Sequence, residues 1–224
     1  MLFDIDGTLL QGASGAHARA ILQAATEVHG LDALDSTQVE AAGRTDMAIA
    51  RSLLRAAGVA DEQIDARAEE VAERAVQAFA HLCPTDLTDK VAPGIPELLD
   101  ALAARPAAFR LSLLTGNLEP IARLKLARAG IGHHFDPGQG GFGSDHVSRP
   151  RLPAIARARA SDPPWPRECT AVIGDTPRDI ACARADRVRV AAVGTGPFTV
   201  EALADADAVA DDARALLPVL EDWL

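Results

Sequence analysis

Short apolar runs alternate with amphipathic segments along most of the chain. The apolar runs, each of a length typical of buried β-strands, are Leu2–Asp4, Leu111–Thr115, Thr170–Gly174, Val188–Val193 and Ala208–Ala210. Apolar side chains recur at helical spacing between them, in Ile95–Ala104, Leu118–Ala129 and Leu152–Ala160. Strands that alternate with helices predict parallel strands joined by crossover helices, so the expected fold class is an open α/β sheet.

One region departs from this alternation and predicts an inserted helical unit. No strand is evident from about Ala13 to Lys90, and three segments have helical periodicity: Ala16–His29, Asp46–Ala57 and Asp61–Leu82. We therefore expect an α/β core domain formed by residues 1–12 and 92–224, and a helical domain formed by residues 13–91. Ligands of open α/β sheets bind beyond the carboxyl ends of the strands, where an insert that follows the first strand would form a lid.

Composition and charge narrow the possible partners and the cellular location. The 224 residues are 48% hydrophobic and carry a formal net charge of −10, which disfavours binding to nucleic acid or to anionic lipid. No apolar run approaches the ~18 residues that span a bilayer, and no signal peptide is evident. Three cysteines without a CxxC pair are expected to be reduced. These features predict a soluble, cytoplasmic protein.

Paired carboxylates follow two of the predicted strands. Asp4 and Asp6 come at the end of the first strand, and Asp175 and Asp179 come at the end of the strand that includes Gly174. Carboxylates this close repel one another unless a cation or a shared proton intervenes, and Mg²⁺ prefers oxygen ligands. The two pairs could surround one divalent ion. The alternatives are an Asp-Gly turn for the first pair and helix N-capping for the second.

Two further stretches could hold an anion near the same strand ends. Thr115-Gly116-Asn117 offers a hydroxyl and free backbone N–H groups before a helix, unless Asn117 is simply the N-cap. Arg149 and Arg151 form a basic pair ahead of another helix, where the alternative is an ordinary surface position.

These motifs together resemble the haloacid dehalogenase-like (HAD) hydrolase superfamily over nearly the whole chain. The first stretch, Asp4-Ile5-Asp6-Gly7-Thr8, is similar to the DxDGT motif, and Gly174–Asp179 is similar to the acidic GDxxxD motif. The resemblance implies Asp4 as nucleophile, Asp6 as general acid and base, and Asp175 as a magnesium ligand. It implies that Asp179 is a ligand or a partner of one, and that Thr115 binds the transferring phosphoryl group.

The resemblance also implies details of the fold, and the chain departs from the family in two places. The implied core sheet has the strand order 5-4-1-2-3 with a C1-type helical cap, and a short third strand is expected around Gly140–Gly143. The family usually has a lysine in its third motif, but Lys90 and Lys125 are the only lysines and neither falls there. Arg149 occupies the place, with Arg151 as the second candidate. Only three residues precede Asp4, fewer than the family's first strand normally provides.

The implied reaction is Mg²⁺-dependent hydrolysis of a small-molecule phosphate ester through an aspartyl-phosphate. The metal would be held by the Asp4 carboxylate, the Asp6 backbone carbonyl and Asp175. Backbone N–H groups of Gly116 and Asn117 would bind the phosphoryl oxygens together with Arg149. Phosphoglycolate, a sugar phosphate and a nucleotide all remain open as substrates.

Other activities on the same framework are less well supported. Dehalogenation would need neither Asp6 nor Asp175. A phosphonate hydrolase would need a cap lysine, and the only lysine of the helical insert is Lys90, at its hinge. A non-catalytic phosphate-binding module would have no use for the second acid, Asp6, whereas a phosphomutase would use the same site and stays open.

In the helical insert, Arg44 is a candidate for contact with the leaving group of the substrate. The alternative interpretation of this stretch is that Thr45 or Asp46 caps the following helix. The six histidines have no carboxylate or cysteine partners at ligand spacing and are expected at the surface.

Overall fold

A five-stranded parallel sheet forms the centre of the computed structural model, which describes residues 1–224. The strands lie in the order β2-β1-β3-β4-β5. Their bounds are β1 (Leu2–Phe3), β2 (Ser112–Leu113), β3 (Ala171–Gly174), β4 (Arg189–Val193) and β5 (Ala208–Ala210). All five predicted strands are present: β1, β3 and β4 are one residue shorter than their apolar runs, β2 is three residues shorter, and β5 has the predicted bounds. Strands β1, β2 and β3 are wholly buried, as expected for a parallel sheet that is covered on both faces.

The expected third strand around Gly140–Gly143 is reduced to one bridge, in which Gly141 pairs in parallel with Leu114 beyond β2. Three glycines in this short stretch leave few side chains to pack as a strand. If the bridge at Gly141 is counted as the third strand of the family, then β3 and β4 are its fourth and fifth strands. The order β4-β3-β1-β2-Gly141 agrees with the expected 5-4-1-2-3 arrangement, and β5 extends the sheet beyond β4.

Nine helices surround the sheet. They are α1 (Ser14–His29), α2 (Asp46–Ala56), α3 (Asp61–Ala66), α4 (Ala68–Leu82), α5 (Ile95–Ala103), α6 (Glu119–Arg128), α7 (Leu152–Ala160), α8 (Pro177–Asp186) and α9 (Leu216–Glu221). The expectation of one continuous helix over Asp61–Leu82 is wrong, because the backbone leaves helical geometry at Arg67 (φ −116°, ψ 9°). The buried side chains Ile64, Val71 and Ala75 keep helical spacing across this break, so periodicity cannot reveal it.

Helices α1 to α4 lie between β1 and β2 in the sequence and form one helical block. Helix α1 packs along α4, with Ile21 and Val28 on one helix and Val71 and Phe79 on the other all buried. These side chains belong to the same apolar cluster as Phe3 of the central strand and as side chains from one face of the sheet. The block is therefore joined to the sheet by a continuous apolar core, which fixes its place above the strand ends.

The structure agrees with the expectations for the cysteines and for membrane-spanning helices. Cys83 and Cys182 are buried, Cys169 is exposed, and all three are free thiols. None of the helices combines the length and the apolar character that crossing a membrane would require.

Candidate active site

The carboxyl ends of β1, β2 and β3 form the floor of a cavity of about 500 Å³, and α1 and α2 form its roof. Most of the candidate residues line this cavity: Asp4, Asp6, Arg44, Thr115, Asn117, Arg149 and Asp175. Gly116 and Asp179 adjoin it without lining it. The fold thus brings the separate sequence motifs together at one edge of the sheet, as expected for parallel strands.

Three buried carboxylates crowd together on the cavity floor. Asp4, Asp175 and Asp179 each offer an oxygen atom, and these atoms all lie within 4.8 Å of one another. Burial raises the pKa of Asp4 to about 7 despite the opposing charge of Arg149. Burial, reinforced by the charges of Asp4 and Asp179, raises the pKa of Asp175 to about 8. Such a cluster must bind protons or a cation to be stable at neutral pH.

The donor atoms on this floor suit a magnesium ion. Asp175 Oδ1 accepts a hydrogen bond from the Thr8 hydroxyl at 2.9 Å, whereas its Oδ2 is buried and has no hydrogen-bond partner. A methyl group at Gly196 would overlap this same Oδ2, so glycine is needed beside it. An unpaired carboxylate oxygen close to Asp4, among oxygen donors only, fits a hard divalent cation.

Asp179 is placed differently from the other two acids. Its Oδ2 accepts from the backbone N–H of Thr176 at 3.0 Å and from the Thr176 hydroxyl at 2.7 Å, in a capping box that begins α8. Its Oδ1 accepts from Arg149. The N-cap of α8 is Thr176, and Asp179 completes the capping box from the third helical position. Because both oxygens are already engaged, the geometry favours Asp179 as a support for Arg149 over a role as direct metal ligand.

Arg149 is buried beside the candidate nucleophile. Its Nη2 lies 3.0 Å from Asp4 Oδ1 and donates to Asp179, and the side chain is 5% exposed. Arg151, two residues along the same short 3₁₀ turn, is exposed. The surface interpretation is wrong for Arg149, and the structure places Arg149 rather than Arg151 next to Asp4.

The Thr115–Asn117 segment lies on the same cavity floor, but Asn117 is not the N-cap of the following helix. The Asn117 backbone N–H donates to Thr115 Oγ1 at 3.3 Å, and its side-chain Nδ2 donates to Asp6 Oδ2 at 3.0 Å. Helix α6 has Leu118 as its N-cap, so the N-cap interpretation of Asn117 is wrong. Gly116 contacts the helical block: it accepts from the Asp46 backbone N–H at 2.8 Å, and a side chain there would overlap the Arg44 carbonyl.

Lys125, which has no predicted role, holds Asp6 in place. The Lys125 ammonium donates to Asp6 Oδ1 at 2.8 Å and to Oδ2 at 2.6 Å, and its side chain is completely buried. Although burial raises the pKa of Asp6, the charge of Lys125 and the hydrogen bonds from Lys125 and Asn117 outweigh it, so the pKa lies below its usual value. The sequence signal for the burial of Lys125 was its position on the same helical face as the apolar residues Ile121, Ala122 and Leu126.

The expectation that the histidines lie at the surface is wrong for His17. This α1 side chain is buried, with Nδ1 3.0 Å from Lys125 Nζ and Nε2 2.9 Å from Asp46 Oδ2. Asp46 Oδ2 also accepts from the Leu118 backbone N–H at 2.8 Å. The cap of α2 is Thr45, whose hydroxyl accepts from Ala48, so Asp46 is free to join the helical block to the core.

Arg44 lines the roof of the cavity but does not contact the floor. Its Nη2 donates to the Ala48 carbonyl at 3.1 Å and to Ser52 Oγ at 2.7 Å, within its own region of the helical block. These hydrogen bonds use only Nη2, so they do not engage the rest of the guanidinium group.

Comparison with known proteins agrees with this architecture. The family model of haloacid dehalogenase-like hydrolases matches residues 1–184. A phosphoglycolate phosphatase from Rhodospirillum rubrum is 30% identical over 240 residues, covering 100% of this chain and 90% of the relative. A hydrolase from Pseudomonas syringae superposes with a TM-score of 0.68 at 22% identity, covering 99% of this chain and 97% of that one. A CbbY protein from Rhodobacter sphaeroides, solved in complex with phosphate, superposes with a TM-score of 0.69 at 22% identity, covering 98% of this chain and 97% of that one.

The parallel sheet with acids at its strand ends under a helical roof defines an α/β enzyme with a carboxylate centre. The chain belongs to the haloacid dehalogenase-like hydrolase family.

Proposed function

We propose that this hydrolase is a Mg²⁺-dependent phosphatase that cleaves a small-molecule phosphate monoester through an aspartyl-phosphate on Asp4. The observation that carries the proposal is the setting of Asp4, which is buried at the end of β1 between Arg149 and Asp175 and faces the cavity. The phosphoglycolate phosphatase relative and the phosphate complex of the structural neighbour support the same chemistry.

Residues of the floor would hold the magnesium ion. We assign the carboxylates of Asp4 and Asp175 and the backbone carbonyl of Asp6 as its ligands, with Asp179 as the residue that secures Arg149. When bound, the ion would neutralise charge on the phosphoryl oxygens. A local cation of this kind is needed because a protein of net charge −10 would otherwise repel an anionic substrate.

Two chemical steps follow from the side chains. In the first, the Asp4 carboxylate attacks phosphorus, the bond from phosphorus to the ester oxygen breaks, and Asp6 gives its proton to that oxygen. In the second, Asp6 takes a proton from water, the water oxygen attacks phosphorus, and phosphate leaves Asp4. Arg149 and Thr115, with the N–H groups of Gly116 and Asn117, are proposed to hold the phosphoryl oxygens throughout.

The roof of the cavity bears on the choice of substrate. Residues 13–91, which we propose to be a cap domain, contribute apolar side chains to it: Ile21, Leu22, Val39, Ile49 and Leu53. Arg44 is the one arginine of the roof, and the roof has no lysine. We infer that the part of the substrate beyond the phosphate contacts an apolar surface and Arg44, and that a volume of about 500 Å³ admits small esters but excludes proteins.

The deciding experiment measures phosphate release from a panel of small phosphate esters, with Mg²⁺ or with EDTA, for the wild type and for Asp4→Asn. We expect release that requires Mg²⁺ and is abolished in Asp4→Asn, because an amide cannot attack phosphorus. The exposed and remote Asp89→Asn is the matched control and should retain full activity.

Two outcomes would contradict the phosphatase proposal. Well-folded wild-type protein that releases phosphate from no ester would exclude it. Transfer of the phosphoryl group between two positions of one sugar phosphate, without net release, would instead indicate a phosphomutase at the same site.

A further inference from the structure

We propose that Lys125 is the positioning residue of Asp6, and that it holds this carboxylate where it can transfer a proton to the leaving group. The inference rests on the proposed function, because it assigns Lys125 a role in the proton transfer that we place on Asp6. Lys125 itself does not line the cavity and acts only through the carboxylate it binds.

Hydrogen-bond acceptors surround the Lys125 ammonium group. Four acceptor atoms lie within 3.0 Å of Lys125 Nζ: both oxygens of Asp6, Asn117 Oδ1 and His17 Nδ1. An ammonium has three N–H donors, so no donor is left for a substrate. The Phe79 ring lies 5.9 Å from Nζ and closes the apolar side of the pocket. The lysine is therefore dedicated to these partners.

Burial of the Lys125 ammonium group costs free energy. Placing a lysine on the buried face of α6 requires complete loss of its hydration, and well-packed apolar residues in place of a buried ion pair are often neutral or stabilising. The neighbouring positions Ile121 and Leu126 are apolar, so packing alone would be served by a leucine or a methionine. A buried cation at Lys125 is then explained by the carboxylate it binds rather than by the packing of the helix.

These contacts fix the orientation of the Asp6 carboxylate. Lys125 and Asn117 bind Asp6 from the side of α6, while the Asp6 side chain remains 26% exposed and lines the cavity. A carboxylate held at both oxygens has lost its freedom to rotate before any substrate arrives. Such preorganisation is what proton transfer to a bound leaving group requires.

The same lysine connects the floor of the site to its roof. His17 of α1 contacts Lys125 through Nδ1 and Asp46 of α2 through Nε2, and Asp46 returns to the core at the Leu118 backbone N–H. Movement of α1 relative to α6 would therefore disturb the contacts of Lys125. The position of Asp6 is in this way coupled to the placement of the two helices that cover the cavity.

The experiment compares kcat/KM for two esters in the wild type and in Lys125→Met. An alkyl phosphate needs protonation of its leaving oxygen, whereas p-nitrophenyl phosphate releases a stable anion without it. Because general acid catalysis contributes about 10²–10⁴-fold, we expect Lys125→Met to lower kcat/KM for the alkyl ester by at least ~10-fold more than for the nitrophenyl ester. Equal losses on both esters in a folded variant would overturn the proposal.

Arg157→Met supplies the matched control for loss of a buried cation. Arg157 forms a buried ion pair with Asp186, at 2.7 Å, outside the cavity lining. This variant should lower the Tm yet leave the ratio of the two kcat/KM values unchanged. Absence of phosphate release by the wild type would contradict the proposed function, whereas an unchanged ratio in Lys125→Met would contradict only the role of the lysine.

A pair of His17 variants tests the proposal if Lys125→Met does not fold. A glutamine amide reaches the place of the imidazole Nε2 and an asparagine amide that of Nδ1, so His17→Gln keeps the Asp46 contact and loses the Lys125 contact, and His17→Asn does the reverse. We expect the alkyl-to-nitrophenyl ratio to fall in His17→Gln and to stay near the wild-type value in His17→Asn. The opposite order, or no change in either, would overturn the proposal.

Discussion

Substitution of Arg149 by methionine tests the electrostatic organisation of the cavity floor. Methionine fills much of the same volume but removes the cation from Asp4 and Asp179. At an effective dielectric constant of about 20, a charge pair at the 3.0 Å between Arg149 Nη2 and Asp4 Oδ1 attracts by about 5–6 kcal/mol. Removal of one partner of a buried ion pair typically destabilises a protein by about 3–5 kcal/mol, which is the loss expected for metal-free Arg149→Met at pH 8.

The loss of stability in Arg149→Met should be smaller at low pH than at high pH. The carboxyls left behind can escape their unpaired charge by binding protons, and burial already raises the pKa of Asp4 to about 7 with the arginine present. Without the arginine this pKa should rise further, so the variant binds the proton at a higher pH than the wild type and gains stability relative to it as the pH falls toward about 7. We therefore expect a smaller difference in the free energy of unfolding at pH 5.5 than at pH 8.

Urea denaturation in EDTA at the two pH values measures this difference. Arg151→Met is the matched control, because it removes an exposed arginine from the same turn. We expect it to behave as the wild type in both stability and phosphate release. If Arg149→Met lost less than about 1 kcal/mol at pH 8, the range of an exposed ion pair, the assignment of Arg149 as the buried cation of the site would be refuted.

Two further predictions concern the metal and the contact between roof and floor. In the metal-free folded protein the pKa of Asp4 is about 7 and that of Asp175 is about 8. Between about pH 4 and these values the folded protein therefore holds two protons that the unfolded chain has released. Stability without metal should thus fall as the pH rises toward 8, and Mg²⁺ should raise the Tm more at pH 8 than at pH 6; equal shifts in thermal unfolding would contradict this. Gly116→Ala should lose activity and about 1–3 kcal/mol of stability, because its methyl group would overlap the Arg44 carbonyl. Gly15→Ala, in α1 with open space around it, should instead gain up to about 1 kcal/mol in urea denaturation, and a similar loss in both would refute the contact argument.

Much of the architecture could be predicted because it depends on local patterns. Apolar runs of strand length and helical periodicity identified all five strands and the helical insert, since each element must bury its own apolar face. The acids Asp4 and Asp175 were identifiable because parallel strands bring their carboxyl ends to one edge of the sheet. The break at Arg67 escaped detection because the buried positions on either side of it keep one helical phase.

The sequence by itself therefore determined the fold class, the acidic motifs and the edge of the sheet at which they meet. Only the tertiary structure decided how the buried charges pair. Arg149 and Arg151 are the first and second candidates in the linear motif, and the turn that they share places the first against Asp4 and the second at the surface. Lys125 lies 119 residues from Asp6, and the pairing of two such charges depends on burial and distance, which no local pattern encodes.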